Sequence, residues 1–159
     1  MDNILRLLER DCTLTPQQIS AMLGLAEDEV RSALSRYEAE EVIVGYKAMV
    51  DWDKTDEELV TALIQVKVTP QRGEGFDRVA ERIYQYDEVE SLFLMSGGYD
   101  LTVIIRGRTM KEVALFVAEK LAPLENVTGT STHFMLKKYK ENGVLFTSRR
   151  EGQERILMV

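Results

Sequence analysis

Residues 15–24 constrain the fold more tightly than any other stretch, because they mark both ends of one short helix. Thr15 can cap the helix, Pro16 suits the first helical position, and Gln18 completes a capping box. Gly24 stands where helices commonly end in a left-handed conformation. The buried face of this helix is predicted to consist of Ile19, Met22 and Leu23. A helix this short needs neighbours to pack against.

Apolar residues at helical spacing predict one helix before this one and another after it. The first carries Ile4, Leu5, Leu7, Leu8 and Cys12. The third begins near Ala26 and carries Val30, Ala33, Leu34 and Tyr37. The glycine-containing turn between the second and third helices is typical of a helix-turn-helix, whose second helix reads the DNA major groove. Residues 42–47 are predicted to form a short strand that ends this module.

The second half of the chain predicts the order β-α-β-β-α-β over residues 59–136. Its strands are expected near residues 62–68, 89–95, 99–106 and 127–136, and the first alternates through Ala62, Ile64, Val66 and Val68. The helical stripes are Phe76, Val79, Ala80, Ile83 and Tyr84, then Met110, Val113, Ala114, Val117 and Leu121. This order is ferredoxin-like, an antiparallel sheet with helices on one face. Phe93 and Phe134 are expected on the other face, where we expect dimerisation.

The fold class is therefore a two-domain α+β protein, with the boundary in an acidic segment. Residues 1–50 are the helix-turn-helix domain, 51–58 the linker and 59–141 the ferredoxin-like domain. Residues 142–159 form a tail that can add a strand or stay loose. No apolar run has the length of a membrane span, and Cys12 is the only cysteine. A cytoplasmic protein without disulfides is expected.

The charge is unusual for a protein that binds DNA. The net charge is −7, and residues 1–50 hold five basic side chains against nine acidic ones. Phosphate contacts normally depend on Lys and Arg. Arg31 and Arg36 are the strongest candidates for contacting double-stranded DNA, since guanidinium groups grip guanine or phosphate bidentately. The full candidate set is Gln17, Gln18, Arg31, Ser32, Ser35, Arg36 and Lys47. The alternative is a solvated helix face on which Glu27 pairs with Arg31.

A second candidate site lies in the predicted turn between two strands, at Ser96, Gly97, Gly98, Tyr99 and Asp100. Adjacent glycines expose N–H groups that can hold a carboxylate, and Asp100 can pair with an α-ammonium group. The combination suits an amino acid. The alternative is an ordinary hairpin turn with Tyr99 in the core.

Catalytic, metal and cofactor sites are not predicted. His133 is the only histidine, which makes a zinc site of the Cys/His type improbable. No nucleophile elbow, phosphate-binding loop or dinucleotide fingerprint occurs. We therefore expect a protein that is not an enzyme.

Three stretches resemble the Lrp/AsnC family, the feast/famine regulators. They are LTPQQISAMLGLAEDEVRSALSRYEAEEVIVGY, VESLFLMSGGYDLTVIIRG and VTGTSTHFMLKKYKENG, and the match covers nearly all of residues 1–143. The resemblance implies a winged-type helix-turn-helix followed by the domain called RAM. It also implies dimers that commonly associate into tetramers or octamers, with effectors, often amino acids, bound between C-terminal domains. In the family the loop matching Ser96–Asp100 lines that pocket, and residues matching Thr130, Ser131 and Thr132 lie close by.

The chain departs from the family at the start of the third helix. Relatives often place Ser or Thr where this chain has Ala26, and they carry more basic residues along this helix. Glu27, Asp28 and Glu29 follow here. Their negative charges interact favourably with the helix dipole, but they repel a DNA phosphate.

Two alternatives remain open. One is an effector-sensing or scaffold protein with weak or no DNA binding. The other is an enzyme similar to the sirohaem decarboxylases, which resemble the family in both domains. Such an enzyme would want basic residues and a histidine around a large pocket, and only His133 is available.

Overall fold

The computed structural model describes residues 3–69 and 75–146. The chain divides into two compact units, Met1–Val50 and Asp51–Val159. Within the described residues, no helix combines the length and the apolarity that crossing a membrane requires.

Three helices form the N-terminal unit: α1 (Asn3–Arg10), α2 (Pro16–Leu23) and α3 (Glu27–Ala39). Their apolar faces meet in one core, whose buried members are Ile4, Leu8, Ile19, Val30 and Tyr37. The helical spacing read from the sequence thus identifies the faces that pack. Cys12 lies beyond the end of α1 and is exposed, contrary to its predicted place on the buried stripe.

The capping box at the start of α2 is confirmed. The Thr15 hydroxyl accepts a hydrogen bond from the Gln18 N–H at 3.2 Å, and the Gln18 side chain accepts one from the Thr15 N–H at 2.8 Å. At the other end, Gly24 has φ 68° and donates to the Ser20 carbonyl. A positive φ is strained for residues with a Cβ, so a glycine suits this turn.

Two predictions for the N-terminal unit are wrong. Met22 is 58% exposed, although its spacing placed it on the buried face of α2. The predicted strand at residues 42–47 has no regular structure, and Val44 is 91% exposed. A strand needs a partner for its backbone hydrogen bonds. No other strand occurs in the described part of this unit, so alternating side chains alone do not produce one there.

The C-terminal unit has the predicted ferredoxin-like order. It contains β1 (Val60–Val68), α4 (Asp77–Tyr84), β2 (Val89–Leu94), β3 (Leu101–Gly107), α5 (Met110–Phe116) and β4 (Val127–Phe134). The sheet order is β2-β3-β1-β4, and each neighbouring pair is antiparallel. The predicted fold class is confirmed.

The two faces of this sheet differ in burial. Ala62, Ile64, Val66 and Val68 of β1 are buried against the helices, with partners such as Val103 and Ile105 of β3. On the other side, which we call the open face, Leu63 pairs with Ile104 and with His133. Phe93 belongs to the open face and is 50% exposed. Phe134 pairs with Ala62 and packs against the helix-side core, so its predicted place on the open face is wrong.

The second helical stripe is confirmed only in part, and α5 continues as a π-helical segment, Val117–Leu121. A π turn shifts the side-chain phase relative to a regular α-helix. Val113 and Leu121 are buried as predicted, whereas Met110 and Ala114 are exposed and Phe116 is buried.

The segments beside the sheet are partly ordered. A 3₁₀ turn, Trp52–Lys54, occupies the predicted linker, and the Arg106 guanidinium lies 5.9 Å from the Trp52 ring centroid. After β4, the short strands β5 (Lys140–Glu141) and β6 (Val144–Leu145) form a hairpin. The remainder of the predicted tail, from residue 147, lies outside the described residues.

The N-terminus of α3 offers a stability test, because the N-cap residue Ala26 makes no side-chain hydrogen bond. Ala26→Ser is expected to stabilise the N-terminal unit by about 0.5–2 kcal/mol, since a serine hydroxyl can accept from a free N–H of the first turn. Thermal or urea unfolding measures this difference. Ala39→Ser, at the last residue of α3, is the control and should stabilise nothing. Equal effects of the two variants would contradict a capping explanation.

Candidate DNA-binding surface and effector site

The exposed face of α3 carries the DNA candidates in two neighbouring stripes. Arg31 and Ser35 are four residues apart and form one stripe, and Ser32 and Arg36 form the next. All four side chains are exposed, while Val30 and Tyr37 hold the opposite face in the core. The helix therefore presents the polar set together on one surface.

The two arginines are in different electrostatic states. The Arg31 guanidinium pairs with the Glu27 carboxylate, with Nε 3.1 Å from Oε1. Arg36 lies 5.2 Å from the centroid of the Tyr37 ring, a cation–π contact that leaves its charge uncompensated by that neighbour. To bind a phosphate, Arg31 must break or share its ion pair with Glu27. The contact of Arg36 with the Tyr37 ring involves no carboxylate, so it carries no such cost.

The remaining DNA candidates lie around α3. Gln17 and Gln18 are exposed at the start of α2, where the Gln18 side-chain oxygen is engaged in the capping box. Lys47 is exposed beyond α3. The first turn of α3 is acidic, with Glu27, Asp28 and Glu29. Negative charge thus stands at the end of the helix where DNA-binding proteins usually contact bases.

An open groove runs beside the Ser32–Arg36 stripe. Its floor includes Leu23, Leu25 and Ala33, and Glu29, Ser32 and Arg36 stand among its lining residues. The groove belongs to the N-terminal unit and combines an apolar floor with both signs of charge.

The predicted effector residues, Ser96–Asp100, lie in the loop 95–100 that joins β2 to β3. It is closed by a hydrogen bond of 2.8 Å from the Met95 N–H to the Asp100 carbonyl. The Asp100 N–H donates to the Val66 carbonyl at 3.1 Å. The end of the loop is therefore anchored on β1.

The Asp100 carboxylate is already engaged within the protein. It accepts the Val68 N–H at 2.9 Å, and Lys67 Nζ lies 3.3 Å from Oδ2. The hydrogen bond from Val68 lowers the pKa of Asp100 below its ordinary value; desolvation opposes it, and the Lys67 contact adds to the lowering. Because β1 pairs with β3 only as far as Val66, the Asp100 side chain continues that ladder beyond its last backbone pair.

The glycines of the loop are not in a left-handed conformation. Positive φ among the described glycines occurs at Gly24, Gly75 and Gly143, and not at Gly97 or Gly98. A Cβ added at either position would meet no atom within 4 Å. The loop thus lacks the alternating right- and left-handed residues of an anion-binding nest. Ser96 is exposed, and Tyr99 is half-buried.

The β4 candidates divide between the two faces of the sheet. Thr130 and Thr132 pair with Val66 and Ile64, which places them toward the helices, and Ser131 pairs with Gln65 on the open face. There the Ser131 hydroxyl and the Gln65 side-chain oxygen each lie 3.2 Å from His133 Nε2. The three residues, although consecutive, do not share one surface.

Lys67 is a charged residue beside the candidate site that the sequence pattern alone did not single out. It lies on the open face of β1, opposite Gly129 of β4, and contacts Asp100 on the β3 side. It therefore stands between the two segments predicted to bind an effector. The alternation of β1 could have predicted this position. Ile64, Val66 and Val68 point toward the helices, so Lys67 between them points to the open face.

A separate cavity of about 340 Å³ lies between α4 and the edge strand β2. Phe76, Ala80 and Tyr84 line one side, and Leu92 and Leu94 line the other. None of the predicted effector residues lines it. Across the described ranges 3–69 and 75–146, no group of three His, Cys, Asp or Glu side chains is placed to hold a metal ion.

Family models match both units of the chain. The model described as Lrp/AsnC ligand binding domain matches residues 61–145, and the model described as winged helix-turn-helix DNA-binding matches residues 3–44. The first match alone covers more than half of the chain.

Individual relatives agree with these matches. The chain is 52% identical over 144 residues to the uncharacterized HTH-type transcriptional regulator YugG of Bacillus subtilis, covering 90% of this chain and 87% of that protein. It is 25% identical to the proline dehydrogenase transcriptional activator of Rhizobium radiobacter, covering 89% and 90%. A feast or famine regulatory protein from M. tuberculosis complexed with L-methionine has the same fold, with TM-score 0.73, 20% identity and coverage of 91% and 95%.

Proposed function

The chain belongs to the Lrp/AsnC family, and from that premise we propose that it is a DNA-binding transcription regulator whose binding or assembly responds to a small effector. In this proposal residues 1–50 bind double-stranded DNA, and residues 59–141 assemble the protein and bind the effector. Residues 51–58 connect the two. The cytoplasm is the compartment that we propose.

The observation that carries the DNA-binding half is the polar face of α3. Arg31, Ser32, Ser35 and Arg36 stand together on the second helix of a helix-turn-helix, opposite a buried face. A helix held in this way can enter the major groove with its side chains directed at bases and phosphates. Gln17, Gln18 and Lys47 would add backbone contacts around it.

Assembly through the C-terminal unit is supported by its open sheet face. Leu63 and Ile104 pair at its centre and Phe93 lies at its edge, a set of apolar side chains on a side that the chain's own described helices do not cover. Burying such a surface against a second copy is favourable. A homodimer would place two α3 helices on half-sites about one DNA turn apart, and dimers can associate further into tetramers or octamers.

The effector half is supported by the family membership and by the anchored loop 95–100. Amino acids are the proposed effectors, and the relative from M. tuberculosis was solved with L-methionine. An effector changes DNA binding only if it binds one assembly or conformation more tightly than another. Ser96, Gly97, Gly98, Tyr99, Asp100, Thr130, Ser131 and Thr132 remain the proposed surroundings of the site.

The proposal is tested by footprinting on the DNA upstream of the protein's own operon, with and without the twenty amino acids. We expect protected half-sites and a change in protection with at least one amino acid. Arg31, Arg36 and Lys47 give a dimer six candidate phosphate contacts. Log affinity against log salt should therefore have a slope no steeper than about −5. A clearly steeper slope would show that other cations make the contacts.

The acidic first turn of α3 favours one alternative function. Glu27, Asp28 and Glu29 oppose phosphate, so the chain can also act as a sensor or scaffold without its own DNA site. The same footprinting experiment separates the two functions. Effector binding without any sequence-specific protection at low salt would favour the sensor.

A further inference from the structure

We propose that Lys67 is the residue that recognises the effector's carboxylate, and that Asp100 positions Lys67 instead of binding the effector's ammonium group. This inference rests on the proposed function, because it concerns the same effector site. It assigns the ligand class as small carboxylic acids recognised chiefly through their anionic end.

The position of Lys67 in the sheet is the first argument. Because β1 lies between β3 and β4, the Lys67 side chain on its open face has the loop 95–100 on one side and Gly129 on the other. Gly129 leaves this position uncrowded: a Cβ there would lie 3.8 Å from Lys67 Cβ. A ligand on the open face that contacts both the loop and Ser131 would therefore lie beside Lys67.

The charge of this region is the second argument. The Lys67 side chain is 46% exposed, whereas the side chain of Asp100 is 18% exposed. The Lys67 ammonium group has three N–H donors, and the Asp100 carboxylate lies on only one side of it. Water or a ligand oxygen can accept from the others, so the cation is the accessible partner of the pair.

The hydrogen bonding of Asp100 is the third argument. Its carboxylate is held by the Val68 N–H and by Lys67, and its own N–H is held by the Val66 carbonyl. Turning the carboxylate toward a ligand ammonium would leave the Val68 N–H without this acceptor, and an unpaired buried polar group is costly. The loop glycines form no nest, so Lys67 is also better placed than they are to hold a carboxylate.

The expected selectivity follows directly. Removing the ligand's carboxylate should weaken binding strongly, because Lys67 loses its partner. Removing the α-ammonium group should weaken it little. An amino acid and the corresponding 2-oxo acid should therefore bind with similar affinity. The amide of the same amino acid should bind much more weakly.

The test measures binding of three probe series to the full-length protein by calorimetry: the twenty L-amino acids, their 2-oxo acids and their amides. The variants are Lys67→Gln and Lys67→Arg, with Lys111→Gln on the exposed surface of α5 as the matched control. Lys67→Gln should fold, since Asp100 keeps its hydrogen bond from Val68. Circular dichroism and thermal unfolding confirm that it does.

For the best-binding amino acid we expect Lys67→Gln to raise Kd at least tenfold, Lys67→Arg to restore most of the affinity, and Lys111→Gln to change nothing. The 2-oxo acid should bind within about threefold of the amino acid, and the amide at least tenfold more weakly. Unchanged affinity in a folded Lys67→Gln variant, or a 2-oxo acid that binds tenfold more weakly, would overturn the assignment. If the wild-type protein binds no compound of any series, the proposed effector function is itself wrong.

Discussion

Arg36→Ala is expected to weaken specific DNA binding roughly five- to 150-fold, which corresponds to about 1–3 kcal/mol for one arginine contact to a base or phosphate. Arg31→Ala should have a smaller effect. Arg31 is paired with Glu27, so part of what it gains from DNA is offset by the ion pair that it gives up. Exposed ion pairs of this kind contribute about 0–1 kcal/mol. That is enough to make the loss smaller for Arg31→Ala than for Arg36→Ala, but not enough to abolish it.

Fluorescence anisotropy with a footprinted operator at fixed salt measures this ranking. Arg82→Ala removes the same charge from an exposed position of α4 in the other unit and serves as the control. Glu27→Gln is expected to have the opposite effect. It frees Arg31 from its ion pair and removes a negative charge, so the affinity for DNA should rise. Equal losses for Arg36→Ala and Arg82→Ala would mean that only net charge matters and that α3 is not the contact surface.

The elements that the sequence predicts best are those with local causes. Thr15, Gln18 and Gly24 define the ends of α2 through hydrogen bonds and backbone preferences within a few residues, and the structure reproduces them. The alternation of β1 likewise identifies its buried face, because each side chain on that face must pack against α4 and α5. In both cases the pattern itself lies within a few residues of chain: cap residues at set positions around a helix, and alternation of apolar side chains along a strand.

The predictions that fail depend on partners that spacing does not reveal. Met22 has helical spacing but faces solvent, and residues 42–47 have strand-like residues but no neighbouring strand. Phe116 is buried although it lies outside the predicted stripe, and Phe134 faces the helices because of its register with Ala62. Tertiary context decides each of these positions.

The candidate effector site shows the same limit for charges. The sequence identifies Asp100 as an anion near a glycine turn, but it does not reveal that Val68 and Lys67 already hold its carboxylate. Those contacts cross 32 and 33 residues of chain, and they arise only when β1 and β3 pair. A sequence pattern can identify a charged residue as a candidate. Whether its side chain already has a hydrogen-bond or ion-pair partner depends on the register of the sheet.

Ile19→Ala is expected to destabilise the N-terminal unit strongly while leaving the C-terminal unit folded. Ile19 is fully buried in a core that has five buried members among the described residues of this unit. Truncating a buried isoleucine costs about 2–5 kcal/mol. A unit of some fifty residues has a stability of roughly 3–8 kcal/mol, so a loss of this size is a large fraction of it.

Hydrogen exchange read by mass spectrometry follows the two units separately. Peptides from residues 3–50 should lose protection, and those from β1, β3 and β4 should keep it, because the C-terminal core holds its own set of buried residues. DNA binding should weaken while effector binding persists. Met22→Ala, on the same helix but 58% exposed, should change little. Loss of protection in both units together would contradict independent cores, and the separation of sensing from DNA binding would then lack its physical basis.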